Sequence, residues 1–100
     1  MDYQFVEING TRMRYDDVVP EGGEGTAVVF IHAGIADLTM WEPQVKPFVE
    51  AGYRVIRYDL RGWGETARPA GEFSDVDDLR ALLRHLEVEK AAVVGCSFGG

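Results

Sequence analysis

The sequence predicts an α/β fold, a mostly parallel sheet with helices on its faces that opens with an antiparallel hairpin. Three observations predict it. Apolar runs at 27–31 (AVVFI) and 91–94 (AAVV), with YRVIRY at 53–58 between them, are separated by stretches of helical character. Such alternation of β and α implies parallel strands joined by right-handed crossovers. Asn9-Gly10 separates two segments of strand character and is the strongest short-range hairpin signal. The last run stops at Gly95-Cys96-Ser97-Phe98-Gly99, a G-x-S-x-G match, the pattern of a tight strand-to-helix turn.

The elements follow in order. Gln4 to Ile8 reads as the first strand. Beyond the turn, Thr11, Met13 and Tyr15 alternate with Arg12, Arg14 and Asp16, as in a strand with one buried face. Pro20 to Gly25 is a turn, too short and too charged to link domains. Residues 27–31 form a central strand that delivers His32-Ala33-Gly34 into a loop. Pro43 to Ala51 is a short helix; Pro43 suits its first turn, Pro47 limits its regularity and Gly52 ends it. Tyr53 to Tyr58 is the next strand, and Asp59-Leu60-Arg61-Gly62-Trp63-Gly64 the loop beyond. Ser74 with Asp77 resembles a capping box. Val76, Leu79, Leu82, Leu83 and Leu86 then fall on one helical stripe. Asp75, Asp77 and Asp78 occupy the first turn and Arg80 and Arg84 lie further on, as the helix dipole favours. Lys90 begins the last strand, whose apolar run is that of a strand buried on both faces. There is no internal repeat, low-complexity segment or second domain.

Composition narrows the function classes. The chain has 100 residues, 46% of them hydrophobic, which suits one small globular domain rather than disorder. Its net charge of −7 repels phosphate backbones and anionic lipid heads, so nucleic-acid and membrane-surface partners are disfavoured. The single cysteine, Cys96, forms no internal disulfide. The first ten residues carry acidic groups and lack the apolar core of a signal peptide, and no run approaches 18 apolar residues. The expectation is a cytoplasmic protein, with its oligomeric state left open.

The chemistry concentrates where strands end. In G-x-S-x-G the serine backbone is strained and the flanking strand and helix nearly touch, so Gly95 and Gly99 carry no side chain. The Ser97 hydroxyl is the candidate nucleophile, and the amide of Phe98 faces the oxyanion that develops when it attacks a carbonyl carbon. A thiol nucleophile at Cys96 would need glycines at 94 and 98, which are Val94 and Phe98. Gly34, in the loop after the 27–31 strand, is the candidate for the second oxyanion amide. His32 reads either as a general base or as a residue that shapes this loop, and the second reading is preferred. Asp59 reads either as a triad acid or, preferably, as the anchor of its own loop through backbone N–H groups. Trp41 and Trp63 line a pocket or simply pack. His85, opposite the leucine stripe, is a surface residue. No phosphate-cradling loop, no G-x-G-x-x-G after a strand and no metal-ligand spacing is present, so neither cofactor nor metal is expected.

Together, the hairpin, His32-Ala33-Gly34, Asp59-Leu60-Arg61-Gly62-Trp63-Gly64 and Gly95-Cys96-Ser97-Phe98-Gly99 resemble the α/β-hydrolase fold superfamily, most closely its esterase, lactonase and haloperoxidase-like branch. Ala33 stands where that branch has glycine. The resemblance runs the whole length, so residues 1–100 are expected to be the N-terminal portion of a single α/β-hydrolase domain, incomplete at the C-terminus. It implies Ser97 as nucleophile, Gly34 and Phe98 as oxyanion donors, and an acid and then a histidine beyond Gly100. The implied function is a cofactor-independent serine hydrolase acting on a small ester, lactone or related acyl substrate through a Ser97 acyl-enzyme. The alternatives are a non-catalytic ligand-binding protein on the same fold, or an inactive truncated fragment. A polypeptide ending at Gly100 is expected to lack hydrolase activity, because a serine without a base is a weak nucleophile, and to aggregate through its open edge.

Overall fold

The structure, a computed structural model, describes residues 3–23, 25–33, 36–66 and 74–95. Five strands form one sheet: β1 (Gln4–Ile8), β2 (Thr11–Val18), β3 (Ala27–Ile31), β4 (Arg54–Tyr58) and β5 (Ala91–Gly95). Their spatial order is β1-β2-β4-β3-β5. β1 and β2 are antiparallel, β2 lies antiparallel to β4, and β3 runs parallel to both β4 and β5. A 3₁₀ turn (Leu38–Trp41) leads into α1 (Glu42–Glu50), which joins β3 to β4, and α2 (Asp75–His85) lies between β4 and β5.

Local chemistry accounts for these elements. Asn9 and Gly10 both take positive φ (46° and 86°), the requirement of a two-residue hairpin turn that matches strand twist. The Ser74 hydroxyl accepts from the Asp77 N–H at the start of α2, as the capping pattern predicts. α1 runs through Pro47 despite the amide missing there, and its N-terminus carries Pro43 where no amide is needed.

The all-apolar β3 is explained by its two faces. Val28 and Phe30, with Val55 of β4, meet Trp41, Val45, Phe48 and Val49 on the α1 side. Ala27, Val29 and Ile31 turn the other way, joining Met13, Tyr15, Ile56, Tyr58 and Leu82 beneath α2. A period-two backbone thus feeds two separate cores.

Two expectations are corrected. β2 has more than one buried face: Met13 and Tyr15 enter the core beneath α2, while Arg14 on the opposite face is only 5% exposed among Asp37, Asp59 and Glu65. Val76 lies off the buried stripe of α2, at 64% exposure, and Asp78 takes its place inside. In residues 1–100, β5 is the edge strand of the described sheet and Val93 is 52% exposed, the open edge expected of this length of chain. Among the described residues no helix is long and apolar enough to cross a membrane.

Phe30 anchors the α1 side, with ring centroids 4.7 Å from Trp41 and 5.1 Å from Phe48. Phe30→Ala is expected to cost about 3–5 kcal/mol of unfolding free energy, read by urea titration.

Candidate active site

The carboxyl edge of the sheet gathers the loops after β3, β4 and β5. Ile31 pairs with both Tyr58 and Gly95, so the three parallel strands end level with one another. His32-Ala33 leaves β3 at this edge, Asp59-Leu60-Arg61 leaves β4 beside it, and β5 ends there at Gly95. The candidate nucleophile Ser97 and the candidate oxyanion donors Gly34 and Phe98 lie outside the described residues, as does Cys96.

Asp59 is the centre of the described part. It follows the last ladder pair, Tyr15 and Tyr58, so it stands opposite Arg14, and its N–H donates to the Arg14 carbonyl at 3.0 Å. Its fully buried carboxylate accepts from Arg14 Nε (2.7 Å) and Nη2 (3.3 Å), from the Glu65 N–H (2.8 Å) and from the Leu38 N–H (2.8 Å). The loop-anchoring reading of Asp59 holds, and the group also reaches back to the segment after β3. A carboxylate with this many donors inside the protein is a structural acceptor. Gly64 takes positive φ beneath it, where a Cβ would lie on the Asp59 carboxylate itself.

Arg14 serves three carboxylates: Asp59, Glu65 at 2.7 Å and Asp37 at 3.4 Å. Burial opposes its charge, but the Asp59 hydrogen bonds and the charges of Asp59, Glu65 and Asp37 outweigh it and hold its pKa above the usual arginine value. Its N–H donates to Thr66 Oγ1 at 2.9 Å, which ties the hairpin to the far end of the post-β4 loop.

His32 is fully buried, and both ring nitrogens are engaged. The Leu60 N–H donates to Nε2 at 2.8 Å, so Nε2 is an acceptor and carries no proton. Nδ1 therefore holds the ring proton and donates it to the Ala33 carbonyl at 2.7 Å. With its basic nitrogen already occupied by a backbone amide, His32 does not act as a general base, and the loop-shaping reading stands.

A second buried pair lies on the α2 side. Arg61 donates from Nε to Asp78 Oδ2 (3.0 Å) and from Nη2 to Asp78 Oδ1 (2.9 Å), and Asn9 Nδ2 donates to the same Oδ1 at 3.0 Å. Arg61 Nη2 also donates to the Asn9 carbonyl at 3.1 Å. Sequence reasoning missed this pair and the burial of Arg14, because alternation and dipole arguments treat every charge as solvated. The register that sets Arg14 against Asp59 is that of β2 on β4, a pairing between distant segments that no local pattern encodes. Trp41 packs on Phe30, and its indole N–H has no partner among the described residues; Trp63 is partly exposed in the post-β4 loop. His85 is exposed, its ring edge against Tyr15. Among the described residues no cluster of three or more His, Cys, Asp or Glu could hold a metal ion.

The comparisons agree with this geometry. A family described as "alpha/beta hydrolase fold" matches residues 26–100. The AB hydrolase superfamily protein YfhM of Bacillus subtilis is 38% identical over 103 residues, covering 97% of this chain and 35% of that protein. The non-heme chloroperoxidase CPO-A1 of Kitasatospora aureofaciens is 39% identical over 82 residues, covering 78% of this chain and 30% of that protein. The crystal structure of the enol-lactonase from Burkholderia xenovorans LB400 superposes with a TM-score of 0.87 at 30% identity, over 96% of this chain and 38% of that one. The chain thus spans about a third of the length of the relatives it matches.

Replacing Arg14 by methionine leaves the Asp59 carboxylate buried without its counter-charge. The expected loss is about 3–5 kcal/mol in unfolding free energy, measured by denaturant titration. Asp37 caps the 3₁₀ turn by accepting from the Thr39 N–H at 2.9 Å. The Thr39 hydroxyl, against the opposing effect of burial and with help from the Thr39 amide and Arg14, holds the Asp37 carboxyl below its ordinary value of 3.8. A lowered folded-state pKa stabilises above the unfolded value and is lost as pH falls through the folded one. Asp37→Ala is therefore expected to cost about 0.5–2 kcal/mol at neutral pH, a difference that shrinks in thermal melts taken below pH 4.

Proposed function

The chain belongs to the α/β-hydrolase fold family, and we propose on that basis that the intact protein is a serine hydrolase of small esters, lactones or related acyl compounds. In this reading Ser97 is the nucleophile. A histidine, oriented by an acid, takes the Ser97 proton as Oγ attacks the acyl carbonyl carbon. Both partners come from the part of the relatives' length that this chain does not span. The carbonyl π electrons move onto oxygen, and the resulting oxyanion is met by the amides of Gly34 and Phe98. Collapse of the tetrahedral intermediate expels the alcohol, which takes the proton from the histidine and leaves an acyl-Ser97 ester. Water, deprotonated by the same histidine, then releases the carboxylic acid and restores the serine.

One observation supports this reading above the others: the pairing of Ile31 with Gly95 on adjacent parallel strands. It ends β3 and β5 level with one another, so the chain leaves both strands at the same edge of the sheet. That edge is where α/β sheets bind their ligands. The likeness to an enol-lactonase favours an acyl substrate. The protein is proposed to act on a small acyl molecule, without cofactor.

The test is made on the intact protein. A fluorophosphonate probe is expected to label Ser97, located by peptide mass spectrometry, and Ser97→Ala is expected to abolish both labelling and p-nitrophenyl acetate turnover. Label on another residue, or full turnover by Ser97→Ala, would remove the reading.

A further inference from the structure

The turn of the hairpin carries a chemistry that the sheet edge does not use. Asn9 and Gly10 are exposed, both take positive φ, and no described atom lies within 4 Å of the place a Gly10 side chain would fill. In an asparagine followed by glycine, the side-chain amide can close onto the next backbone nitrogen unhindered, because glycine has no Cβ to block the approach. Here that amide has a partner. Asn9 Nδ2 donates to Asp78 Oδ1 at 3.0 Å, across 69 positions of chain, and because the partner is a carboxylate the atom facing it is the nitrogen. Asp78 is itself fixed: it is buried and accepts from Arg61 Nε at 3.0 Å and from Nη2 at 2.9 Å. Arg61 Nη2 also donates to the Asn9 carbonyl at 3.1 Å. Asp78 of α2 and Arg61 of the loop after β4 thus hold both the side chain and the backbone of Asn9.

We infer that Asn9-Gly10 is a deamidation site that the Asp78 carboxylate holds in check. In the reaction hydroxide takes the proton of the Gly10 amide, and that nitrogen attacks Asn9 Cγ. A bond forms between them as the Cγ–Nδ2 bond breaks, and Nδ2 takes a proton from water and leaves as ammonia. Water then opens the succinimide at either carbonyl, giving an aspartyl or an isoaspartyl link at position 9. Ring closure turns the side chain back onto its own backbone, so the bond to Asp78 must break first. That bond has a charged acceptor, and such bonds are the stronger kind. The product cannot restore it. The new carboxylate has no N–H to offer Asp78 and repels it. The isoaspartyl form also lengthens the backbone by the Cβ carbon, in a tight turn that closes the pairing of Ile8 with Thr11. One ring closure therefore separates the hairpin from α2 irreversibly.

The experiment ages the intact protein in mildly alkaline buffer and follows the aspartyl and isoaspartyl forms of the peptide containing position 9 by mass spectrometry. Wild type is compared with Asp78→Ala, which removes the acceptor, and with Phe30→Leu, which loosens packing on the α1 side and leaves the tie in place. Asp78→Ala is expected to speed the reaction about tenfold or more, the factor that a hydrogen bond to a charged group sets on an opening equilibrium. Phe30→Leu is expected to stay within about twofold of wild type, as a distant and independent site. A wild-type rate in Asp78→Ala, or an equal acceleration in Phe30→Leu, would overturn the inference. Should Asp78→Ala fail to fold, the wild-type protein decides: unfolded in urea it is expected to react about tenfold or more faster than folded, and equal rates would overturn the inference. Asn9→Asp, which sets the product carboxylate against Asp78, is expected to melt about 2–4 °C below wild type. An unchanged melting temperature would refute the separation of hairpin from α2. None of these outcomes depends on the reaction proposed for Ser97.

Discussion

The carboxylate of Asp59 is the constraint on which the edge of this sheet depends. It is fully buried, and it gathers donors from three separate segments: Arg14 of β2, Leu38 beyond β3 and Glu65 beyond β4. Taking a charge out of water costs several kcal/mol unless every lone pair is satisfied, so each of these contacts is required rather than optional. The requirement reaches into the covalent chain. Gly64 has no side chain because one would occupy the carboxylate's place, and Arg14 is arginine, not lysine, where two donors must meet one group side by side. A buried ion pair adds little net stability over apolar packing, but breaking one side of it is costly. Its effect is to allow one arrangement of three loops and penalise the rest.

A second pair does the same work on the other face. Arg61 and Asp78 hold the hairpin turn at Asn9 against the first turns of α2. Arg61 stands two residues after Asp59, so one short loop plants charges on both sides of the sheet. Further along, Arg57 meets Asp16, its cross-strand neighbour, and Glu42, while Arg54 clasps Asp17 with two hydrogen bonds. Among the described residues, Arg14, Arg54, Arg57 and Arg61 are thus engaged with carboxylates in and around the sheet. The result is a stiff edge where the loops after β3, β4 and β5 emerge, which suits chemistry whose donors are backbone amides.

The loops themselves show why a polar residue can be read for its place but not its role. His32 and Asp59 were identifiable as candidates because each follows a strand in a parallel sheet, where sites form. Whether either was a base, an acid or a brace depended on what the other loop presented to it. The Leu60 N–H on His32 Nε2 and the Leu38 N–H on Asp59 Oδ1 link residues 28 and 21 positions apart, and no local pattern encodes them.

What the sequence determined by itself is whatever rests on contacts between near neighbours. The Asn9-Gly10 hairpin, the all-apolar β3, the Ser74 cap of α2 and the β-α alternation that forces parallel pairing are all of this kind, because turn sterics, side-chain period and capping act within a few residues. Only the tertiary structure decided that Arg14 and Asp78 are buried, that Val76 is not, and that His32 is locked as the Nδ1–H tautomer. Those outcomes depend on which partner reaches a charge or ring nitrogen across the sheet, and a buried polar group is tolerated only once that distant partner is in place.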